Sequence, residues 1–280
     1  MNNPTYFEAL QWASLFIKKH HQDEYSGELL ILDQHNWTHS ELIMHYREEM
    51  PLVEWTTFQK KVAEVGSGRP VQYVTNLASF YGRQFYVDER VLIPRMDTEE
   101  LIETVLKDTQ LPINSEVLDI GTGSGDIAIT LKLEKPTWMV TAVDISKDAL
   151  DVARINAQSF KTEVDFRLGS LFEPVQNDKY DLIVSNPPYI SENEIDAMDQ
   201  SVIDNEPQMA LFAKDDGLYW YKQIALQLKS HLKSGGYLVC EIGYKQGIKL
   251  REFYQNKLPG AQIQIKKDMS GNDRLLVVHL

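Results

Sequence analysis

The chain has 280 residues, 43% of them hydrophobic and 25% charged, with a formal net charge of −13 at pH 7. That length allows one large or two modest domains with a sizeable core, and the acidic balance weighs against a protein that grips phosphate backbones. A single cysteine, Cys240, excludes an internal disulfide and any multi-cysteine metal site.

No apolar run approaches the length of a membrane span, and residues 1–20 lack a signal-peptide pattern. Acidic residues at Glu8, Asp23 and Glu24 argue against a transit peptide. A cytoplasmic protein that uses no membrane is the expectation.

Residues 4–65 read as helices. Phe7, Leu10, Trp12, Leu15 and Phe16 recur at helical spacing, as do Leu29, Leu30 and Leu32. Thr38-His39-Ser40-Glu41 has the form of a capping box opening a helix through Leu42, Ile43 and Tyr46. Pro51 closes that helix, and Val53 to Val65 carry another. His35 and His39 stand four apart without a cysteine nearby, and read as surface residues rather than zinc ligands. Gly66-Ser67-Gly68-Arg69-Pro70 is the first strong breaker cluster, which predicts a helical domain over 1–70.

Residues 71–93 alternate and carry aromatics, from Val71 and Tyr73 through Phe80-Tyr81-Gly82-Arg83-Gln84-Phe85-Tyr86-Val87, and predict a β-hairpin linker. A second domain is expected over 94–280. Pro94 ends the short run Val91-Leu92-Ile93, and Asp97 or Thr98 is placed to cap the next helix, whose acidic first turn suits its dipole. Arg95 precedes that acidic turn, where simple pairing with it is the plainer explanation.

From Glu116 strands and helices alternate, the signature of a βαβ array on a parallel sheet. Strand Glu116-Val117-Leu118-Asp119-Ile120 runs into Gly121-Thr122-Gly123-Ser124-Gly125 and then a helix. Glycines there let the backbone turn sharply and approach a ligand at the helix N-terminus. A second strand, Met139 to Val143, ends in Asp144, about 23 residues past Gly121, near the offset at which a carboxylate meets ribose hydroxyls. A dinucleotide fingerprint would put its third glycine at Asp126, and no Gly-Lys-Ser/Thr follows, so neither that motif nor a P-loop fits. The third strand, Val164 to Leu168, leads into Gly169-Ser170-Leu171-Phe172, where Leu171 is a candidate cover for an adenine and Phe172 reads as core.

The fourth strand ends abruptly at Asn186-Pro187-Pro188-Tyr189. Proline lacks an N–H, so the ladder cannot continue, and the strand end presents carbonyl oxygens, the Asn186 side chain and an aromatic ring. An Asn-Pro turn alone would explain it. As a site it is rich in acceptors and suits a planar group carrying N–H donors. Residues 191–216 then form a long, acid-rich polar loop, followed by a helix over 217–233, a strand from Tyr237 to Ile242, a helix over 246–257 and two closing strands, Ile263 to Ile265 and Leu275 to His279.

The Asp-x-Gly-x-Gly-x-Gly run from Asp119 to Gly125 resembles motif I of S-adenosylmethionine-dependent methyltransferases. Together with Pro94-Arg95-Met96-Asp97-Thr98-Glu99-Glu100-Leu101, Asn186-Pro187-Pro188-Tyr189, and Glu206-Pro207 with Ala210-Leu211, it makes nearly the whole chain resemble the HemK/PrmC family of protein-glutamine N5-methyltransferases. The chain departs at Met96, where members often have proline, and at Ser170-Leu171, where they often have an acidic-aromatic pair.

The resemblance implies a Rossmann-like class I methyltransferase domain with a seven-stranded, mostly parallel sheet, behind a small helical domain that recognises the substrate. It implies methylation of the glutamine in the Gly-Gly-Gln motif of class I peptide chain release factors. Gly121, Thr122, Gly123, Ser124, Gly125, Asp144, Leu171 and Asn186 would bind S-adenosylmethionine. Asn186, Pro187, Pro188, Tyr189 and Arg95 would bind the substrate, with Asn186, Pro187 and Tyr189 catalytic. No metal and no DNA enter the scheme, and a monomer is expected. The rivals are a DNA adenine-N6 methyltransferase, whose exocyclic amine presents the same donors but which would want a basic groove, and a non-catalytic binding module on the same fold.

Overall fold

The computed structural model describes residues 3–280. It divides into two units: one runs to Leu77 and takes in Asp199–Asn205, the other comprises Ala78–Met198 and Glu206–Leu280.

The first unit is helical. Helix α1 (Tyr6–Lys19) opens on a capping box in which Thr5 and Glu8 satisfy each other's backbone N–H. Helix α2 (Ser26–His35) follows, and α3 (His39–His45) opens on the expected box from Thr38 to Glu41. Pro51 precedes α4 (Leu52–Gly66). Ala9, Ala13 and Ile17 of α1 bury against Leu30, Phe58 and Val62, a single apolar core.

The expectation of strand from residue 71 is not met. Val71–Thr75 form a short helix, α5, with Pro70 at its N-terminus and Asn76 in the left-handed conformation at its end. Pro70 is the extended N-cap and has no N–H for a strand ladder, and the left-handed Asn76 ends the turn, so the β-branched residues between them do not form a strand. The hairpin itself is shorter, β1 (Leu77–Phe80) and β2 (Arg83–Tyr86), joined by Tyr81-Gly82 at φ 49° and 71°, the positive pair that a tight two-residue turn demands.

The larger unit continues with α6 (Met96–Asp108), β3 (Glu116–Ile120), α7 (Asp126–Glu134), β4 (Met139–Asp144), α8 (Lys147–Ser159), β5 (Asp165–Leu168) and β6 (Tyr180–Ser185). Residues 191–216, expected as a loop, carry a 3-10 turn at Glu192–Ala197 and two short helices, α9 (Gln200–Asn205) and α10 (Gln208–Leu211). Within the first unit α9 is tied by the Ser201 hydroxyl and the Asn205 amide, both donating to the Gly68 carbonyl. Its polar composition gives no periodic signal to read. Then come α11 (Tyr219–His231), β7 (Leu232–Glu241), α12 (Gly247–Lys257), β8 (Gln262–Lys267) and β9 (Asp273–His279).

The seven-stranded sheet has the order β5-β4-β3-β6-β7-β9-β8. The strands from β5 to β7 are parallel and β9 is antiparallel to both its neighbours. The chain winds outward from β3 to β5, then returns to the other side of β3 as β6, so the order reverses between β3 and β6. In such a sheet the crevice at the carboxyl ends of the strands, at that reversal, is where ligands bind. The register puts Ile120 opposite both Val143 and Ser185, and Ser185 opposite Cys240. The loops after β3, β4, β6 and β7 therefore open at one edge. Among the described residues no helix is long and apolar enough to cross a membrane.

Candidate active site

A cleft of about 310 Å³ lies at that edge, within the size range of small-ligand sites. Its wall includes Gly121, Thr122, Gly123, Ser124, Asp144 and Leu171 on one side, and Asn186, Pro187, Pro188 and Arg95 on the other. Two residues expected in the site are elsewhere. Gly125 and Tyr189 do not line the cleft.

The glycines divide the labour. At Gly121 and Gly123, φ is 76° and 53°, and an added Cβ would meet nothing within 4 Å. These two hold the backbone open against empty space. Gly125 faces inward: a Cβ there would lie 2.9 Å from Ile129 Cδ1 and 3.2 Å from Ala153 Cβ. It lets α7 and α8 approach, and it starts α7. Asn156 on α8 locks the loop from behind, donating 2.8 Å to the Ser124 carbonyl, while its oxygen accepts from Tyr86 N–H at 2.7 Å.

Asp144 ends β4 and is 9% exposed. One oxygen accepts the Gly123 N–H at 2.9 Å and the other the Ser146 N–H at 2.8 Å. Burial raises its pKa, and the two N–H donors oppose that rise. Each oxygen keeps a lone pair, so the pair can also accept vicinal hydroxyls. The glycine cradle, this acceptor and the apolar Ile145 and Leu171 beside it suit a nucleoside carrying a flexible charged tail.

Asn186 stands where β6 stops. Its Nδ2 donates to Thr98 Oγ1 at 3.1 Å, and the Thr98 hydroxyl donates to Glu241 Oε2 at 2.6 Å. Nδ2 is thereby engaged, while Oδ1 takes no hydrogen bond among the described residues and remains the free end of an amide on the cleft wall. Tyr189 lies behind the wall, packed against the apolar core, with its hydroxyl 3.3 Å from Glu241 Oε1. Burial and the Glu241 carboxylate push its pKa up.

Arg95 does not pair with the acidic turn that follows it. Its guanidinium donates to Glu206 Oε1 at 2.5 Å, and the other Glu206 oxygen accepts the Ile93 N–H at 3.3 Å. Asp97 pairs instead with Arg274 at 3.0 Å. Thr98 does not cap α6, since no side chain caps that helix. Phe172 is core as expected, 1% exposed and stacked on His231.

Thr98, Glu241, Glu206 and Asn156 are the site residues that the sequence did not disclose as such. Glu241 left one signal, a carboxylate at the end of an otherwise apolar strand. Thr98 and Asn156 left none that separates them from ordinary helix residues.

Comparison with known proteins bears on the family and the fold. A family model described as "Methyltransferase small domain" matches residues 96–211, and one described as "PrmC N-terminal domain" matches residues 8–75. The release factor glutamine methyltransferase of Enterococcus faecalis is 42% identical, the match covering 97% of this chain and 98% of that one. That of Bacillus subtilis is 40% identical, with coverage of 97% and 96%. Among solved structures, a methyltransferase from Pyrococcus furiosus has a TM-score of 0.55 at 16% identity, covering 79% of this chain and 98% of that one. The Thermus thermophilus 16S rRNA N2 G1207 methyltransferase, in complex with AdoMet and guanosine, has a TM-score of 0.52 at 14% identity, covering 72% and 49%. At such identities these two share the fold alone. Full-length relatives at about 40% identity carry the family assignment: the chain belongs to the release factor glutamine methyltransferases.

Proposed function

We infer that the protein methylates the side-chain amide nitrogen, N5, of the glutamine in the Gly-Gly-Gln motif of class I peptide chain release factors, with S-adenosylmethionine as methyl donor. The observation that carries this reading is the free Oδ1 of Asn186, held on the cleft wall by an amide whose nitrogen is already committed to Thr98.

When bound, the cofactor supplies a methyl group made electrophilic by its sulfonium. Gly121 and Gly123 would admit its amino-acid portion close to the backbone, with Thr122 and Ser124 beside them. Asp144 would accept from its ribose hydroxyls, and Leu171 would cover the adenine. The residues present fit that group.

A glutamine amide nitrogen is a weak nucleophile because its lone pair is delocalised into the carbonyl. Asn186 Oδ1 and the Pro187 carbonyl together offer two acceptors for its two N–H groups, which fixes the nitrogen for in-line attack. They also place partial negative charge where positive charge develops on nitrogen, a contribution that water would have to reorganise to supply. In the transfer the nitrogen would gain the methyl group that the sulfonium releases, and would lose a proton to solvent afterwards. Pro188 makes the strand end rigid. Arg95, held by Glu206, borders the opening and contacts the substrate backbone. Tyr189 acts from behind the wall.

On this reading the helical residues 1–70 recognise the release factor, 71–93 link, and 94–280 carry catalysis. The protein acts as a cytoplasmic monomer, away from DNA and membranes. Support against a nucleic-acid substrate comes from the cleft's two arginines, Arg90 and Arg95, both neutralised by carboxylates, Asp88 and Glu206, at 2.5 Å.

The test is methyl transfer from labelled S-adenosylmethionine to a purified release factor, beside its Gly-Gly-Gln variant with Gln→Ala and duplex DNA. Label on the intact factor alone is expected, and Asn186→Ala should abolish it. Label on DNA, or undiminished turnover by Asn186→Ala, would overturn the reading.

A further inference from the structure

An asparagine amide has two nearly equivalent orientations, because its terminal torsion joins an sp³ to an sp² carbon and is broadly two-fold. Turned one way, Asn186 offers an oxygen to the cleft and accepts. Turned the other, it offers two N–H groups that repel a glutamine –NH₂. The Asn-Pro-Pro-Tyr backbone does not choose between them. Something outside the motif has to.

Thr98 Oγ1 is the atom that Asn186 Nδ2 meets, at 3.1 Å. A hydroxyl has one proton and can serve either a donor or an acceptor. Its proton is taken up by Glu241, 2.6 Å away, so what it offers Asn186 is a lone pair, and only the nitrogen of the amide can use that. Glu241 is 1% exposed, and the Tyr189 hydroxyl donates to its other oxygen at 3.3 Å. As an ionised carboxylate it accepts from both sides and donates to neither. Direction therefore propagates through three residues, from carboxylate to hydroxyl to amide.

We propose that Glu241 and Thr98 are positioning residues for methyl transfer, a buried relay that locks Asn186 with its oxygen toward the substrate amide. Neither lends an atom to the reaction. The relay rests on the proposed role of Asn186, and it makes the ionisation of Glu241 part of the site's geometry. A protonated Glu241 can donate to Thr98, whose own proton is then free to turn toward Asn186 and favour the inverted amide.

The charged and titratable groups around Glu241 belong to several elements. Asp97 and Thr98 reach it from α6, Tyr189 from the segment after β6, Tyr221 from α11 and Arg274 from β9. Burial raises the Glu241 pKa to about 7, with Asp97 adding to the rise and Thr98, Arg274 and Tyr189 opposing it. The Tyr221 hydroxyl bonds the Glu241 carbonyl at 2.7 Å, fixing the backbone rather than the carboxylate. Arg274 is itself held by Asp97 and Asp268, each at 3.0 Å.

The experiment compares Thr98→Val, Thr98→Ser and Glu241→Gln in the full chain. It measures kcat and KM for a purified release factor, and S-adenosylhomocysteine affinity by calorimetry. Thr98→Val keeps the shape and removes the hydroxyl. It should lower kcat about 10- to 100-fold, the scale of a buried polar group left without its partner, with cofactor affinity within about twofold of wild type. Thr98→Ser restores the hydroxyl and should restore kcat to within about threefold. Wild-type kcat should fall as pH drops through about 7, and Glu241→Gln should flatten that acid limb. Normal kcat in Thr98→Val overturns the proposal, as does equal loss in Thr98→Val and Thr98→Ser together with lost cofactor affinity. If Asn186→Ala is inactive while Thr98→Val is not, the relay alone fails. If Asn186→Ala turns over normally, the glutamine reading fails with it.

Discussion

Asp119 is the most strongly buried acid next to the glycine loop, and replacing it by asparagine should move stability upward relative to wild type as pH rises. The side chain is 0% exposed. Oδ2 accepts the Thr122 hydroxyl at 2.6 Å, while among the described residues Oδ1 has no well-aligned hydrogen-bond partner, the Ala128 N–H acting on the carboxyl only as a weak donor. Burial carries its pKa up to about 7, helped by Asp126 and Asp144 and opposed by the Thr122 hydroxyl and the Ala128 N–H. An unfolded chain ionises the same group near 3.9. A carboxyl held above its unfolded value contributes stability that is whole below about pH 4, and loses it as pH rises to the folded value. At about 1.4 kcal/mol per pH unit, the loss approaches about 4 kcal/mol by pH 8 and is about 1.5 kcal/mol at pH 5.

Asp119→Asn is nearly isosteric and cannot ionise. Its oxygen can keep the Thr122 hydroxyl, and its nitrogen leaves an unpaired buried donor that costs about 1–3 kcal/mol at every pH. That constant drops out when pH values are compared. The stability gained over wild type should therefore rise by about 2.5 kcal/mol between pH 5 and pH 8. Urea unfolding of both proteins at several pH values, followed by circular dichroism, gives the difference from matched m-values. A gap independent of pH, or one that shrinks as pH rises, would mean that Asp119 titrates near its ordinary value in the fold. The account of a neutral carboxyl beneath the loop would then be wrong.

Two further outcomes follow from the site. Asp144→Ala removes the acceptor that closes on the Gly123 and Ser146 N–H groups; calorimetry should show S-adenosylhomocysteine affinity falling at least about tenfold, the scale of a lost charge-assisted hydrogen bond. Gly217→Ala adds a Cβ where φ is 78° and where the Tyr189 carbonyl and the Gln246 amide already sit; displacement of the segment after Asn186 should lower kcat for the release factor more than it lowers cofactor affinity, and equal losses in both would refute this.

Much of the fold was legible because its signals are local. Strands such as Leu182-Ile183-Val184, covered on both faces, are 0% exposed and read as unbroken apolar runs. The glycine loop and the proline stop after Asn186 are likewise local chemistry, and nearly all the cleft's expected lining is found there. The errors fall where local preference is weak or misleading. Val71–Thr75 are helical behind Pro70 despite their β-branched residues, and β7 begins at Leu232, running through Gly235-Gly236 well ahead of the strand expected from Tyr237. Gly125 looked like its two neighbours in sequence, yet only the packing of Ile129 and Ala153 against it reveals its separate task.

What stayed hidden in the site is non-local by nature. Arg95 and Glu206 meet across 111 positions, and Thr98 and Glu241 across 143. Each of the four has a sufficient local explanation as a turn partner, a loop acid, a helix cap or a strand end. Chemistry confined to Asn186-Pro187-Pro188-Tyr189 needs only a strand that stops, and two prolines achieve that. Direction in the Asn186 amide needs a donor sink, and a donor sink must be a buried acceptor that water cannot replace. Glu241 meets that requirement only because α6 brings Thr98 to the carboxyl end of β7. A motif can therefore be intact in sequence while its asparagine faces the wrong way. In this fold, the helix after Pro94-Arg95 decides which way it faces.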